Sequence, residues 1–499
     1  MNLFRISIII FLGVIIFASR CRGQSKISDF LPHASIEAGA FASPGSDTPF
    51  WLRTNQYGIV PDHSPSGMIQ ASLFRDYKKP DSISKQYRKF DWGFVFNPVL
   101  TYDNENRNRL LLPEANFKVR FKNIEFYGGR RRDLVGLGDS TLSSGFYAGS
   151  GNSLPIPKIQ ISTIGYVPVA FRKFISINAA FAHGWINSPP HIYAARLHQK
   201  HIYFRLGRSA SKSKFYFGLN HQAIWAGHSA YLKLRPDLAE NGQLPDSWKL
   251  YKYIVLGYTP KNWYEIAGYS SFDSYRVGNH LGTYDAGFET NLKGNRLFFY
   301  HQHIYEDVSS LLFKNFPDGL WGANWVPKKG SGKLGLFTLT RLTLEFLTTK
   351  DQSGSEFYIT GSDYQGADNY FNHTQYEEGY SYRGSTIGTP FIAPGKDLDH
   401  SKFLSARFFP NNRVNVWYAG GQAKYRKSLL LTVRASYSRN FGILQDPFDP
   451  PRGQFSSLFS AQHPLRKWKN TVIHGKFALD YGHVYTKSYA AYFGIKKNW

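Results

Sequence analysis

The chain has 499 residues, and 60 Lys and Arg against 35 Asp and Glu give it a formal net charge of +25. Aromatic residues make up 17% of the sequence, with 33 Tyr, 40 Phe and 11 Trp, whereas Met occurs twice and Cys once. A single cysteine excludes an intrachain disulfide framework and a cysteine-based zinc site. Beyond the N-terminal residues no run of 18 apolar residues occurs, which excludes membrane-spanning helices.

The first predicted element is a signal peptide over residues 1–23. An apolar run from Ile6 to Ala18 follows Arg5, and it has the length of a signal-peptide core but is short for a membrane span. Cleavage after Gly23 is expected; the alternative is lipidation of Cys21. An exported chain seldom meets nucleic acid, so the positive charge predicts an anionic polysaccharide or lipopolysaccharide as partner.

Residues 24–90 are predicted to form an N-terminal segment that serves as a plug or as a surface element. Its stretch 47–62, DTPFWLRTNQYGIVPD, places aromatic rings beside amides and a guanidinium, with Trp51 and Arg53 at its centre. Rings stack on sugar faces, and guanidinium and amide groups bind hydroxyls and carboxylates. The same composition fits a plug packed in a lumen, so both interpretations stay open.

From residue 91 to 499 the chain repeats pairs of alternating apolar and polar runs, which predict β-hairpins. Short turns are expected at Lys122-Asn123, 171–173, Ser211-Lys212, 260–262, Lys293–Asn295 and Asn411-Asn412. Longer stretches rich in Gly, Pro, Asp and Ser lie at about 133–155, 184–200, 225–250, 306–333, 348–400 and 441–453. Alternating short turns and long loops predict an all-β fold, a transmembrane antiparallel β-barrel of about 18 strands with long extracellular loops in a Gram-negative outer membrane.

The C-terminal strand supports this prediction. The chain stops at Trp499, behind Tyr489, Tyr492 and Phe493. A terminal aromatic residue on a terminal strand resembles the signal by which outer-membrane barrels are recognised for insertion. Barrel-insertion machinery is therefore an expected partner.

Candidate chemistry is sparse. Ser140, Asn152 and His400 superficially match the elements of SGNH esterases, but no helical periodicity flanks the serine as that fold requires. The histidine pairs lack a nearby carboxylate constellation, and no glycine-rich phosphate loop precedes a helix. We therefore predict no metal, no cofactor and no catalysis.

An arginine cluster is a better candidate for binding. Arg130 and Arg132 lie on one face of a strand that enters a long loop. Their guanidinium groups suit the carboxylates of a uronate polymer. The alternative is a rim charge that faces lipopolysaccharide.

Several segments resemble the Wzi family of capsule-assembly outer-membrane proteins, in its Bacteroidetes-type branch. GSGNSLPIPKIQIS (149–162) does so through Asn152, Pro155 and Pro157. TPFWLRTNQYG resembles the opening of the Bacteroidetes branch of the family, and HQAIWAG (221–227) resembles a third, weaker segment. The most specific block is YFNHTQYEEGYSYRGSTIGTPF (370–391), through Asn372, His373, Tyr376, Gly379, Tyr380, Tyr382, Gly384, Ile387 and Gly388.

The resemblance implies a lectin-like, non-catalytic barrel that binds capsular or exopolysaccharide and assists its assembly or attachment. The alternatives are a carbohydrate- or anion-selective porin and, further off, an outer-membrane hydrolase. Outer-membrane lipid and lipopolysaccharide are further expected partners. The candidate polysaccharide-binding residues are Asn372, His373, Tyr376, Tyr380, Tyr382, Arg383, Arg130, Arg132, Trp51 and Arg53.

Overall fold

The structure is a computed structural model of the chain, and it describes residues 32–78, 89–103, 107–258, 277–328, 330–358, 365–399, 401, 407–426 and 428–499. Eighteen antiparallel strands form one closed barrel, which confirms the predicted fold class and strand number. The strands are β1 His33–Ala42, β2 Ser66–Arg75, β3 Phe90–Asp103, β4 Arg109–Phe121, β5 Ile124–Arg130, β6 Lys158–Thr163 with Val167–Ala170, β7 Ile175–Ser188, β8 Ile192–Leu206, β9 Ser213–Trp225, β10 Asn279–Leu292, β11 Asn295–Tyr305, β12 Gly319–Val326 with Lys333–Leu334, β13 Phe337–Thr348, β14 Val414–Tyr425, β15 Leu429–Gly442, β16 Pro447–Pro464, β17 Thr471–Gly482 and β18 Ser488–Asn498.

Helical structure is confined to the connections. The described α-helices are α1 Phe50–Arg53, α2 Ala230–Lys233, α3 Tyr251–Leu256 and α4 Val308–Leu311. None of the helices in this part of the chain is long and apolar enough to cross a membrane.

The wall of the barrel follows from the period-two alternation of its strands. In β17 and β18 the rings of Tyr481, Tyr489 and Phe493 are exposed on the outer face, while Asp480 and Tyr492 are buried on the lumen side. An aromatic exterior around a polar interior is the pattern of a transmembrane barrel.

The barrel closes between β1 and β18. Gly39 of β1 lies opposite Gly494 of β18, and the ring of Tyr492 covers both glycines. The Tyr492 hydroxyl donates to the carboxylate of Glu37 at 2.9 Å. Two glycines therefore make room for one aromatic ring that seals the seam.

The predicted boundary at residue 90 is wrong. β1 and β2 lie within the expected N-terminal segment 24–90, pair with each other and join the wall, so the barrel begins at His33 rather than at residue 91. β1 reads HASIEAGAFA, and its small residues hid the alternation. Residues 1–23 lie outside the described part of the chain, so the signal peptide and the state of Cys21 stay predictions.

Most short turns stand where the alternation placed them. Two-residue turns at 122–123 and 293–294 and the turn at 171–174 are confirmed, whereas 260–262 lies outside the described residues. Asn411-Asn412 is no turn. Both side chains are buried just before β14, and the turn residues described between β14 and β15 are Arg426 and Ser428.

Three of the predicted loops are shorter in the structure than the sequence suggested. Residues 184–200 belong mainly to the β7–β8 hairpin, Gly319–Val326 and Lys333–Leu334 belong to β12, and only 443–446 separates β15 from β16. Gly, Pro and Asn in these strands suggested loops, but strand pairing overrode the local preference. Because strand direction alternates, the described parts of the long connections 43–65, 131–157, 226–278 and 349–413 all lie at one end, here called the loop end.

Substituting Gly39 by Val is expected to destabilise the seam, because a Cβ there would lie 2.3 Å from the Tyr492 hydroxyl oxygen. Overpacking of this kind costs about 1–3 kcal/mol. When samples are heated to increasing temperatures before electrophoresis, we expect the band of the folded variant to disappear at a lower temperature than that of the wild type. Gly421→Val is the control, because an added Cβ there meets nothing within 4 Å; equal loss in both variants would contradict this account of the seam.

Candidate functional site

The first long connection, 43–65, enters the lumen. Its helix α1 buries Trp51 to 2% exposure, and the indole Nε1 donates to Ser436 Oγ of β15 at 2.9 Å. The backbone N–H of Phe50 donates to Asp480 of β17 at 2.7 Å. Trp51 is therefore part of a plug inside the barrel and presents no face to a sugar in solvent.

The second connection, 131–157, is held by acidic side chains of the opposite wall. The N–H of Leu137 donates to Asp285 of β10 at 2.7 Å, and the N–H of Ser144 donates to Glu345 of β13 at 2.6 Å. Lumen carboxylates thus accept hydrogen bonds from loop backbone that would otherwise be buried without partners.

The connection 349–413 carries the tyrosine-rich block. Tyr380 is 1% exposed and its hydroxyl donates to the carbonyl of Ala148 at 2.8 Å. Tyr376 is also buried and donates to the carbonyl of Ala226 at 3.2 Å. Both phenols therefore bind backbone of neighbouring loops.

Asn372 joins the two ends of this connection. Its Nδ2 donates to the carbonyl of Phe409 at 2.9 Å, and its Oδ1 accepts the N–H of Phe409 at 3.1 Å. His373 accepts the N–H of Gln375 on Nδ1 at 3.2 Å. Neither residue lies at the cleft described below.

The segments that carry the family resemblance pack against one another. Asn152 Nδ2 donates to the carbonyl of Thr386 at 3.4 Å, and the Asn152 Oδ1 accepts the N–H of Asn55 at 3.3 Å. The N–H of Tyr57 donates to the carbonyl of Gly151 at 2.7 Å. These motif positions build the plug, which explains their residue types without a ligand.

One glycine of the block is required by the backbone. Gly379 has φ +54°, and a Cβ on it would lie 2.0 Å from the carbonyl oxygen of Phe371. Only glycine fits this left-handed, closely packed position.

A polar cleft of about 250 Å³ opens where the three connections meet β4 at the loop end. Its charged lining consists of four cations and two anions, with Asn152 and Tyr382 beside them. The charged residues are Arg53, Arg109, Arg383, Lys396, Asp62 and Asp397.

Two of the cations in the cleft are paired. Arg53 contacts Asp397 at 2.9 Å, and Lys396 lies 3.5 Å from Asp62 and 3.8 Å from Asp397. Burial would lower the pKa of Arg53, but Asp397 and Asp62 raise it above its ordinary value. Burial opposes ionisation of Asp62, yet Lys396 and Arg53 lower the pKa of that carboxyl. Arg53 and Asp62 therefore both carry charge at neutral pH.

The other two cations, Arg109 and Arg383, make no ion pair with any residue of the described ranges. Arg383 is exposed, with its guanidinium 5.6 Å from the ring of Tyr382. Behind it Arg130 donates to the Tyr382 hydroxyl at 3.1 Å. The cleft therefore keeps an excess of positive charge that faces solvent.

The structure brings together four of the predicted binding residues, namely Arg53, Arg130, Tyr382 and Arg383. Arg132 is directed elsewhere, because it donates to Asn97 at 2.9 Å and lies 3.6 Å from Glu114. The four remaining loop candidates and Trp51 lie outside the cleft.

Sequence reasoning missed Arg109, Asp62, Lys396 and Asp397. Arg109 is the first residue of β4 and resembles an ordinary strand-end charge. Lys396 and Asp397 lie in a short 3₁₀ turn. No local pattern distinguishes these residues from solvated surface charges.

The described residues do not assemble the hydrolase site or the metal site considered from the sequence. Ser140 is exposed in the second connection, Asn152 bonds backbone, and His400 lies outside the described residues. Within the described ranges no three His, Cys, Asp or Glu side chains are arranged to hold a metal ion.

A pair of carboxyls joins two loops close to the plug. Asp307 caps α4, accepting the N–H of Ser310 at 3.0 Å, and Asp368 accepts the Ser353 hydroxyl at 3.0 Å. Burial and the hydrogen bond with Asp307 raise the pKa of Asp368 to about 10. Burial opposes ionisation of Asp307, but its hydrogen bonds with Asp368 and Ser310 lower its pKa. One proton is therefore shared by this pair.

Comparison with solved structures finds the same architecture. Wzi from Escherichia coli, a carbohydrate-binding outer-membrane β-barrel involved in group 1 capsule assembly, superposes with a TM-score of 0.59 at 13% identity, over 94% of this chain and 85% of that one. The chain shares the Wzi fold.

Two other barrels align over similar lengths. OccK5 from Pseudomonas aeruginosa has a TM-score of 0.47 at 8% identity, covering 94% of this chain and 98% of its own. OccAB2 from Acinetobacter baumannii has a TM-score of 0.45 at 8% identity, covering 94% and 99%. No family model and no curated protein sequence matches the chain.

Trp51→Ala is expected to destabilise the barrel by about 3–5 kcal/mol, the usual cost of removing a buried tryptophan. Urea unfolding of the refolded protein, followed by tryptophan fluorescence, measures it. Trp417→Ala is the matched control, because Trp417 is 47% exposed on the outer face. An effect no larger than that of the control would show that α1 does not anchor the plug.

Loop packing is expected to weaken with rising pH. Asp368 has a pKa of about 10 in the folded chain against 3.8 for the free group. Its contribution to the stability of the folded loops is therefore full below about pH 4 and declines as pH rises toward 10. Asp368→Asn removes this dependence. Proteolysis rates of the 349–413 connection between pH 5 and 9 test it, with exposed Glu240→Gln as control; equal pH slopes in the variant and the wild type would contradict the shared proton.

Proposed function

We propose that the chain is an outer-membrane barrel that binds an anionic surface polysaccharide at the loop-end cleft and assists capsule or exopolysaccharide assembly or attachment. Binding involves no catalysis. The observation that carries this proposal is a polar cavity lined by four cations and two anions, in which Arg109 and Arg383 lie outside the ion pairs.

The membrane location is supported by the outer face of the barrel. Large apolar side chains are exposed there on strands around the barrel, among them Phe117 of β4, Phe215 of β9 and Leu344 of β13. A soluble barrel would not expose such a continuous apolar band, whereas lipid covers it in a membrane. With the long loops facing outward, the cleft would open toward the cell surface.

The chemistry of the cleft suits carboxylated sugars. Guanidinium groups bind carboxylates through two parallel hydrogen bonds. Neither Arg109 nor Arg383 forms an ion pair within the described residues. The cavity of about 250 Å³ is smaller than a usual drug-sized site. It suits one sugar residue or side group of a long polymer that runs across the loop surface.

The Wzi structure gives independent support, since a barrel of this fold from Escherichia coli binds carbohydrate and takes part in capsule assembly. A porin would need an open lumen. Here the first connection donates through Trp51 to β15, and the second donates through Leu137 and Ser144 to β10 and β13, so both connections fold into the lumen. A surface binder tolerates such a plug.

Arg109→Gln and Arg383→Gln are each expected to weaken binding of a uronate-containing polysaccharide about tenfold, since a hydrogen-bonded contact to a charged group contributes about 1.5–3 kcal/mol. Binding by the refolded barrel on immobilised polymer, measured across a salt series, should also weaken with salt.

Arg172→Gln is the matched control, because this exposed arginine lies in a turn at the opposite end of the barrel. Carboxyl-reduced polymer is the ligand control and should bind wild type and variants alike. Equal loss in Arg172→Gln, or undiminished binding in both cleft variants, would overturn the proposed site.

A further inference from the structure

A groove of about 810 Å³ crosses the outer face of the barrel over β9 to β13. It runs across five neighbouring strands, and apolar side chains line it almost throughout. Those that form its floor and rims are Phe215, Ala286, Phe288, Phe299, Trp321 and Ala323.

The groove arises from two small residues in a wall of large ones. Phe299 of β11 lies opposite Phe288 of β10 on one side and Ala323 of β12 on the other. Ala286 lies opposite His301, whose ring stacks on Trp321. The alanines leave a depression between the larger side chains, and an aromatic side chain at either position would fill it.

The loop end of the groove is roofed by the connection 306–318. Trp321 Nε1 donates to the carbonyl of Pro317 at 3.2 Å, and the ring of Phe316 meets the Trp321 ring edge-on at 6.0 Å. This connection exposes Val308, Leu312, Phe313 and Phe316. Lys314 is the one charged residue in the stretch 308–317, and it is exposed.

A second segment, residues 247–258, packs on the outer wall beside the groove. The guanidinium of Arg196 of β8 lies 4.8 Å from the ring of Trp225 and 5.0 Å from that of Trp248. Lys200 of β8 donates to the carbonyl of Val255 in α3. The stretch 247–258 is again aromatic, and its charged residues are two lysines. Aromatic residues with lysines are typical of segments at the membrane–water interface.

We propose that this groove binds an acyl chain of a phosphorylated outer-leaflet lipid whose phosphate contacts Lys314. The inference rests on the membrane location given under the proposed function. Continuity of the groove with the lipid-facing wall defines the apolar part of the ligand. The exposed Lys314 defines the anionic part. The ring of Phe313 beside it stacks on Tyr284 of β10 and His303 of β11, so this segment packs on two of the strands that carry the groove, and basic residues at a membrane surface attract lipid phosphate.

The site is separate from the polysaccharide cleft. The groove residues face outward from β9 to β13, whereas Arg109, Arg383 and Lys396 face the cavity among the loops. Loss of one site should therefore leave the other intact.

The test uses the full-length barrel in phosphatidylcholine nanodiscs that contain bis-phosphorylated lipid A or its dephosphorylated form. Native mass spectrometry counts the lipid molecules that stay bound to the barrel after it is released from the nanodisc. Ala286→Phe with Ala323→Phe fills the groove and should abolish retention of both forms. Lys314→Glu should lower the preference for the phosphorylated form at least about fivefold and leave the dephosphorylated form unaffected.

Ala419→Phe, on the exposed outer face of β14, and Lys173→Glu, in a turn at the opposite end, are the matched controls and should retain lipid like the wild type. Absence of retained lipid in the wild type, or equal loss in the controls, would overturn the inference. Heat-modified gel mobility checks that each variant is folded. Polysaccharide binding should be unchanged in the groove variants, so failure of this site and failure of the cleft give different results.

Discussion

The width of an 18-stranded barrel is the constraint on which the rest of the structure depends. A wall of that size encloses a lumen that its own side chains do not fill. Its inner face carries carboxylates such as Asp285, Glu345 and Asp480, which need hydrogen-bond partners once water is excluded. Loop backbone supplies them, at 2.7, 2.6 and 2.7 Å respectively. The long loops thus fold inward, and the barrel is closed by polar contacts as much as by apolar packing.

The cleft is a consequence of the same packing. Three connections converge above the plug, and their surface charges meet a strand end at Arg109. Arg53 and Lys396 are paired with Asp397 and Asp62, so the pairs fix the shape of the cavity while Arg109 and Arg383 supply its net charge. Rigid pairs beside free guanidinium groups suit recognition of a carboxylate at little reorganisation cost.

The sequence was informative about the wall and much less so about the lumen. Period-two alternation predicted the barrel and its strand number, because each wall residue has a defined inner or outer face. It failed at β1, where small residues weaken the signal, and at Asn411-Asn412, where a buried pair looks like a turn. Trp51, Tyr376 and Tyr380 were predicted to bind sugar, but rings with hydrogen-bonding groups serve a polar plug equally well. Arg109 could not be found, since only the tertiary fold brings it to the other loops.

Planar-bilayer conductance of the refolded wild-type protein tests most directly whether this barrel is a closed binding platform. Inserted protein is predicted to give no sustained ion-conducting steps, because connections folded into the lumen bond its inner wall and one another. Deletion of 47–62 should produce steps and shows that insertion succeeded. Stable, porin-sized conductance of the wild type would contradict the account and favour transport through an open lumen.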